Sequence, residues 1–282
     1  MQFHLDPYGK LGFHKPHSNE VMVVRECHLP EDLINQVWPS LDIDPESGLQ
    51  KVSLRTGAFE DVLIVLEGNG EELPACSIEE LPVSVVYLSK NQKTIIAGED
   101  SVLEVIQGRS FRVSVGSFSQ VNRFQASSMV DTLLSRIEWA DMKIILELFS
   151  GVGLFSAFLA GKADKLVCVE SSKSACDDFC VNLDEFDNVE LYQATVGETL
   201  GHIDLKPDLV LADPPRSGLG KGVVDAINNL GALTLVYFSC DVGTMVRDAR
   251  YLHQVGYQLD ELMIFDLFPQ TYHIETMGIW RR

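Results

Sequence analysis

Cys240 is the cysteine whose position in the sequence best suits chemistry. It ends the apolar run Thr-Leu-Val-Tyr-Phe-Ser-Cys and is followed at once by Asp-Val-Gly-Thr, which opens a predicted helix. Free backbone N–H groups at a helix N-terminus lower the pKa of a nearby thiol and favour the nucleophilic thiolate. Cys168 lies inside a predicted strand, and Cys176 and Cys180 share one predicted helix, which indicates core packing. We therefore predict that Cys240 is the reactive thiol.

A glycine-containing turn follows the predicted strand that ends at Leu148. Gly151 and Gly153 let a ligand approach the backbone closely at the carboxyl end of a strand, where open α/β sheets bind ligands. Glu170 ends the next strand, about 20 residues further on, where a carboxylate can accept hydrogen bonds from both ribose hydroxyls. Ser156 can serve as the third small residue of a dinucleotide fingerprint, so this motif predicts a nucleoside cofactor without separating NAD from S-adenosylmethionine. The structural alternative is a tight turn beside a solvated glutamate.

Two further carboxylates are predicted at the same edge of the sheet. Asp213 follows the strand Asp-Leu-Val-Leu-Ala and begins Asp-Pro-Pro-Arg-Ser-Gly, whose prolines fix the backbone as a rigid, ligand-facing ledge. Glu275 lies in Phe-Pro-Gln-Thr-Tyr-His-Ile-Glu, at a final hairpin that returns to this edge. For the neighbouring His273 we favour a structural role over that of a base.

The elements that must position these residues alternate between strand and helix after Gly116. Compact apolar strands are each followed by a segment of helical period, which argues for a doubly wound α/β domain; the strands are KIILELF, KLVCVE, NVELYQ, DLVLAD and LTLVYFS. The last two runs, QLDELMIFDLF and HIETMGIW, have no helix between them. They predict an antiparallel hairpin that closes one sheet edge.

The first part of the chain has a different pattern of apolar residues. Between Lys51 and Val115, short apolar runs separated by turn residues predict an antiparallel β meander. Before it, residues 30–41 have helical spacing with acidic residues in the first turn. We therefore predict a smaller antiparallel β (α+β) domain over residues 1–115 and the α/β domain over residues 116–282.

The charge of the chain opposes general binding to polyanions. Its 282 residues contain 22 Lys and Arg against 41 Asp and Glu, for a net charge of −19, so the overall field repels nucleic acid and acidic lipid. The N-terminus has no apolar signal core, and the longest apolar stretch, Ile144 to Gly161, carries Glu147 and is too short to span a bilayer. The six cysteines form no CxxC pair, which favours the reducing cytoplasm and suggests no zinc site.

Taken together, the motifs resemble those of the RNA 5-methyluridine methyltransferases, a family of S-adenosylmethionine-dependent enzymes. The segments that carry the resemblance appear in the order and spacing of that family, and they are GSFSQVN, ELFSGVG, DPPRSG, FSCDVGT and FPQTYHIE. The earlier stretches LGFHKPHSNEVMVVRECHLP and KVSLRTG are similar to the central domain of the same family.

The resemblance implies a class I methyltransferase-like (Rossmann-like) fold and the transfer of a methyl group to C5 of a uridine in rRNA or tRNA. It implies that the cofactor site is lined by Gln120, Phe149, Glu170 and Asp213, to which the glycine turn adds Gly151 and Gly153. It also implies that Cys240 is the nucleophile and Glu275 the general base. The chemistry requires both, since a thiolate must add to uracil C6 to activate C5, and a carboxylate must later remove the C5 proton.

Three departures from the family pattern qualify the resemblance. Members commonly carry an N-terminal RNA-binding β-barrel, and this sequence begins after the point where it would end. Many bind an iron-sulfur cluster through four cysteines, of which only Cys27 has a match here, so we expect no cluster in this chain. Leu154 stands where the family usually has Asn. With the acidic charge, these departures predict weak RNA binding.

Two other functions fit the same residues. One is a Cys-dependent methyltransferase whose substrate is not RNA, which the net charge and the missing barrel favour. The other is a protein that binds the cofactor without productive RNA engagement. Four arginines could line a small RNA groove, or they could equally belong to a solvated surface. They are Arg123, Arg216, Arg247 and Arg250.

Overall fold

The computed structural model describes residues 1–70, 72–74, 76–77, 83–90, 92–140 and 142–282. The side chain of Cys76 lies outside this description. The chain divides into two compact units. The first comprises Met1–Val105 and Arg112–Val115, and the second comprises Ile106–Phe111 and Gly116–Arg282.

The first unit is built mainly of β-strands. They are β1 (Gln2–Leu5), β2 (Leu11–His14), β3 (Val21–Val23), β4 (Asp42–Ile43), β5 (Leu49–Thr56), β6 (Val62–Gly68), β7 (Cys76–Ser77), β8 (Val83–Leu88) and β9 (Lys93–Ala97), followed by the hairpin strands β10 (Ser101–Ile106) and β11 (Arg109–Ser114). Seven of them form one sheet in the order β3-β2-β1-β5-β6-β8-β9, and β4 pairs with β7. Helix α1 (Asp32–Val37) continues into a 3₁₀ turn at Trp38–Ser40 that contains Pro39, as the helical spacing predicts.

One strand pairing in this unit contradicts the predicted meander. The strands from β5 onward pair antiparallel, except that β6 and β8 run parallel. A parallel pair needs a crossover of about a dozen residues, and the connection between Gly68 and Val83 is long enough to provide it. Along that connection β7 pairs with β4, so the chain leaves the main sheet before it returns.

The second unit is the predicted doubly wound domain. Its strands are β12 (Ile144–Leu148), β13 (Lys165–Glu170), β14 (Val189–Gln193), β15 (Leu209–Ala212), β16 (Thr234–Ser239), β17 (Gln258–Phe265) and β18 (Glu275–Arg281). Its helices are α2 (Arg123–Arg136), α3 (Ser156–Leu159), α4 (Lys173–Asn182), α5 (Val196–Leu200), α6 (Gly220–Leu230) and α7 (Val242–Gln254). The sheet order is β14-β13-β12-β15-β16-β18-β17. Strands β12 to β16 are parallel and β17 and β18 antiparallel, which confirms the terminal hairpin.

Both faces of this sheet are buried. Alternate residues of β12 and β15 enter two separate apolar clusters, with Ile145 and Leu209 on one face and Leu146 and Val210 on the other. This is why the strands read as continuous apolar runs. The carboxyl ends of the parallel strands meet at one edge, and the antiparallel β18 begins there with Glu275, since Thr276 pairs with Ser239 at the end of β16.

Among the described residues, none of the helices combines the length and the apolar character that crossing a bilayer requires.

Candidate active site

The turn after β12 has an unusual backbone that suits close approach of a ligand. Gly151 and Gly153 adopt positive φ angles of 56° and 90°, and Phe149, a non-glycine residue, also has a positive φ of 62°. A Cβ at Gly153 would overlap the Leu183 side chain, whereas a Cβ at Gly151 would meet nothing within 4 Å. Gly153 therefore serves close packing, and Gly151 leaves the backbone accessible. The left-handed backbone of Phe149 costs on the order of 1 kcal/mol, and no sequence pattern indicated it.

Glu170 at the end of β13 joins this turn to the next one. Its Oε2 accepts a hydrogen bond from the Gly151 N–H at 3.0 Å. Its Oε1 accepts hydrogen bonds from the N–H groups of Ser171 and Ser172 at 2.8 and 2.7 Å. Three backbone donors thus fix the carboxylate at the carboxyl edge of the sheet. An ionised carboxylate has about four acceptor positions, so it retains capacity for a ligand hydroxyl.

Gln120 and Asp213 come together from distant parts of the chain. Gln120 is buried, and its Nε2 lies 3.5 Å from Oδ2 of Asp213, a long hydrogen bond. The loop before Gln120 is anchored by Ser117, whose Oγ donates to Oδ2 of the fully buried Asp178 at 2.6 Å. Asn122 caps helix α2 by accepting from the Gln125 N–H. The anchors on both sides of Gln120 define the position of its amide next to Asp213.

Cys240 lies between β16 and α7, as predicted, but its thiol does not have the predicted pKa. Burial raises the pKa of the Cys240 thiol, the Glu275 and Asp213 carboxylates raise it further, and Arg216 opposes them. The prediction of a lowered pKa is therefore wrong. The physical reason is that Asp241 caps the helix, with its Oδ1 accepting from the Thr244 N–H at 2.7 Å, while the charges facing the sulfur are mainly negative.

Three carboxyl groups share this edge of the sheet and interact through their charges. Glu275 is only 4% exposed, and burial, followed by the charge of Asp213, raises its pKa to about 8. Burial raises the pKa of Asp213 to about 7. Burial also raises the pKa of Glu147 to about 8, although Ser156 Oγ donates to its Oε2 at 2.7 Å. At neutral pH these groups can hold and exchange protons, which is what acid-base chemistry requires.

Glu147 was missed as a site residue by sequence reasoning. The available signal was a single acidic residue inside an otherwise apolar strand, because a buried carboxylate needs a specific partner. Within the part of the chain that the structure describes, Glu275 Oε1 and Ser150 Oγ are buried without a hydrogen-bond partner. Ser150 lies in the turn after β12, and Glu275 begins β18.

The remaining sequence-predicted groups lie outside this cluster. Cys176 is buried, as predicted for core packing, and burial raises its pKa to about 11. Cys180 is exposed, so the prediction of core packing is wrong for this residue. His273 packs its ring against Tyr272 and Phe268. No group of three or more His, Cys, Asp or Glu side chains in the described ranges is arranged to bind a metal ion.

Comparisons with known proteins find similarity along most of the chain. The profile of the tRNA (uracil-5-)-methyltransferase family matches residues 67–282. An uncharacterized RNA methyltransferase of Streptomyces avermitilis is 31% identical over 99% of this chain and 66% of its own length. The 23S rRNA (uracil(1939)-C(5))-methyltransferase RlmD of Vibrio cholerae is 30% identical over 96% of this chain and 65% of its own length. The chain thus spans slightly less than two thirds of these relatives.

A solved structure has the same fold. The crystal structure of Pyrococcus abyssi tRNA (uracil-54, C5)-methyltransferase in complex with S-adenosyl-L-homocysteine superimposes with a TM-score of 0.76 at 23% identity, over 99% of this chain and 74% of that chain. At this identity the likeness concerns the fold. The family profile covers most of the chain, including both strand ends that carry Cys240 and Glu275. The chain therefore belongs to the tRNA (uracil-5-)-methyltransferase family.

Proposed function

We propose that this chain transfers a methyl group from S-adenosylmethionine to C5 of a uridine in rRNA or tRNA. The observation that carries the proposal is the convergence of Cys240, Glu275 and Asp213 at one sheet edge, where their charges act on one another. The two named relatives support the substrate class, since their names specify uracil C5 of rRNA and of tRNA. We assign catalysis to residues 116–282 and a central-type β domain to residues 1–115.

The turn after β12 fits a nucleoside cofactor. Gly151 presents open backbone, and Glu170 retains acceptor capacity. The buried Ser150 hydroxyl has no hydrogen-bond partner among the described residues. S-adenosylmethionine, when bound there, supplies an electrophilic methyl group. We propose that the residues lining its site are Gln120, Phe149, Gly151, Gly153, Glu170 and Asp213.

Cys240 begins the proposed reaction as a thiolate. Its sulfur forms a bond to C6 of the uracil, and the electron pair of the C5–C6 double bond moves towards C5 and the O4 carbonyl. With S-adenosylmethionine bound, C5 would use this pair to form its bond to the methyl carbon, while the bond between that carbon and the sulfonium sulfur would break and leave its electron pair on the sulfur. Arg216 favours the thiolate electrostatically, against burial and the neighbouring carboxylates. Neutralisation of the Asp213 charge by a positively charged ligand therefore favours the Cys240 thiolate.

Glu275 completes the reaction as a base. Its carboxylate takes the proton from C5, the C–H electron pair restores the C5–C6 double bond, and the bond between C6 and sulfur breaks to release Cys240. Glu275 Oε1 has no partner among the described residues, so a lone pair is available for this proton. Burial raises the pKa of Glu275 to about 8, so the ionised fraction of this base grows as the pH increases towards 8. We therefore expect kcat/KM for RNA to rise over the same range.

RNA must meet two requirements at this site. The target uridine has to leave its stack to reach groups as buried as Glu275, at a cost of a few kcal/mol. The net charge of −19 opposes binding of the phosphate backbone, so we expect weak RNA binding with a shallow salt dependence.

The cysteines support a reducing compartment such as the cytoplasm. Among the described side chains, the free thiols are Cys27, Cys168, Cys176, Cys180 and Cys240.

The test is incubation with methyl-labelled S-adenosylmethionine and total cellular RNA, followed by nucleoside analysis. We expect label in 5-methyluridine with the unmodified protein and with Cys180→Ala, an exposed cysteine on α4 that serves as the matched control. Cys240→Ala should yield none. Label in another nucleoside, or equal 5-methyluridine from Cys240→Ala, would refute the proposed function.

A further inference from the structure

Asp248, in the middle of α7, is a fully buried carboxylate that the proposed reaction does not use directly. Its Oδ2 accepts hydrogen bonds from the Leu219 N–H at 2.8 Å and from the Tyr237 hydroxyl at 2.9 Å. Its Oδ1 accepts from the Gly220 N–H at 3.2 Å and from Nε and Nη2 of Arg247 at 3.0 and 2.8 Å. Two of the five donors are backbone N–H groups at the point where the loop after β15 enters α6. Asp248 therefore anchors this loop to α7.

Other α7 residues bind the same loop closer to Arg216. Thr244 Oγ1 donates to the Arg216 carbonyl oxygen at 3.0 Å, and Arg247 Nη2 donates to the Ser217 carbonyl oxygen at 2.7 Å. Gly218 has a φ of 71°, and a Cβ there would overlap the Thr244 methyl group and the Asp248 carboxylate. The loop thus lies directly on the helix without space for a side chain between them.

The same helix also follows the nucleophile. Asp241 caps α7, and Cys240 comes immediately before this cap, so the thiol is adjacent in sequence to the helix that carries the loop anchors. Arg216 is the cation that opposes the rise in the Cys240 pKa. Its side chain is exposed, so the position of its charge relative to the sulfur depends on how firmly its backbone is fixed.

We propose that Asp248 is a positioning residue: it fixes residues 213–220 on α7 and thereby keeps the Arg216 guanidinium near the Cys240 thiol. The inference rests on the proposed role of Cys240 as nucleophile. Asp248→Asn removes the charge and replaces one acceptor oxygen with an NH₂ group, which cannot accept hydrogen bonds from the loop. The loop then loses part of its anchor, and Arg216 moves relative to the sulfur.

The experiment measures alkylation of Cys240 by iodoacetamide as a function of pH, with the full chain and mass spectrometry of the Cys240 peptide. For Asp248→Asn we expect the midpoint of the Cys240 profile to move up by about half a pH unit, or about threefold slower labelling at pH 7. Arg216→Gln should give a similar upward shift, and adding Asp248→Asn to it should shift the profile no further. Tyr237→Phe, which removes another donor to Asp248 but none from the loop, is the matched control and should leave the profile unchanged.

A second variant covers the case in which Asp248→Asn does not fold. Thr244→Val combined with Arg247→Gln removes two loop contacts from the partly exposed side of α7, and it should shift the profile in the same direction. An unchanged profile in either folded variant, or an equal shift in Tyr237→Phe, would overturn the proposal. Alkylation needs no RNA, so a failed search for 5-methyluridine would refute the proposed function separately from this inference.

Discussion

Glu275→Gln should change how the stability of the protein depends on pH. Because burial and Asp213 raise the pKa of Glu275 from 4.5 to about 8, the folded state binds this proton more tightly than the unfolded state does. Below about pH 4.5 both states are protonated, so the carboxyl group carries no penalty. As the pH rises from about 4.5 to about 8, the unfolded state loses the proton first, and the free energy of unfolding falls. Glutamine does not ionise, so the variant should lack this fall.

The size of the effect follows from the difference between the two pKa values. A tenfold change in proton affinity corresponds to about 1.4 kcal/mol, so the interval from 4.5 to about 8 sets an upper bound of about 5 kcal/mol. Relaxation around the charge reduces this bound. We expect the free energy of unfolding of the unmodified protein to fall by about 2–3 kcal/mol relative to that of Glu275→Gln between pH 5 and pH 8.5. The Gln amide leaves an unpaired donor at the site of Oε1, at a cost that is similar at both pH values. The test therefore compares how much the free energy of unfolding of each protein changes between pH 5 and pH 8.5.

The assay is urea unfolding, followed by circular dichroism, of the unmodified protein, Glu275→Gln and Glu138→Gln at pH 5 and at pH 8.5. Glu138 is exposed and provides the matched control, for which the pH dependence should equal that of the unmodified protein. Glu275→Gln should gain about 2–3 kcal/mol relative to the unmodified protein on going from pH 5 to pH 8.5. A variant whose stability differs from the unmodified protein by the same amount at both pH values would refute the reasoning about burial of Glu275.

Three further changes test other parts of the site. With RNA and S-adenosylmethionine, Glu275→Gln should accumulate a covalent protein–RNA adduct on a denaturing gel, and so should the unmodified enzyme with 5-fluorouridine RNA. Cys240→Ala should form no adduct. Free RNA alone in the Glu275→Gln and 5-fluorouridine lanes would contradict the covalent mechanism. Calorimetry should find S-adenosylmethionine binding in the low-micromolar range, about −8 kcal/mol, with negligible NAD binding, and the reverse preference would remove the cofactor assignment. Gly153→Ala should destabilise the protein in urea unfolding by about 2 kcal/mol because its Cβ overlaps Leu183, and by more than Gly151→Ala, which has open space; equal losses would contradict the packing.

The architecture of the second unit could be predicted because its local and global signals agree. The run KLVCVE coincides with β13, and the two terminal runs form the antiparallel hairpin β17–β18. In the first unit, the strands from β5 onward follow alternating apolar patterns, but the parallel pairing of β6 and β8 does not. That pairing depends on the path of the long connection after Gly68, which no periodicity specifies.

The placement of the proposed site residues follows from the sequence more directly than their electrostatics do. The carboxyl ends of parallel strands meet at one edge, so the positions of Glu170, Asp213 and Cys240 follow from the order of strands. The pKa of Cys240 does not follow, since the groups that raise it, Glu275 and Asp213, lie far away in sequence. The adjacent helix N-terminus alone predicts a lowered pKa of the thiol, and burial together with distant charges outweighs it.

The electrostatics of the cluster connect ligand binding with the reactivity of Cys240. Asp213 contributes to the raised pKa of Cys240 and also to that of Glu275. A cation bound beside Asp213 therefore lowers both pKa values together, because it offsets the charge that raises them. A neutral ligand of the same shape lacks this effect. Without such a cation, the charge of ionised Asp213 keeps the pKa of the Cys240 thiol raised. The arrangement thus favours the nucleophilic thiolate when a positively charged ligand occupies the site.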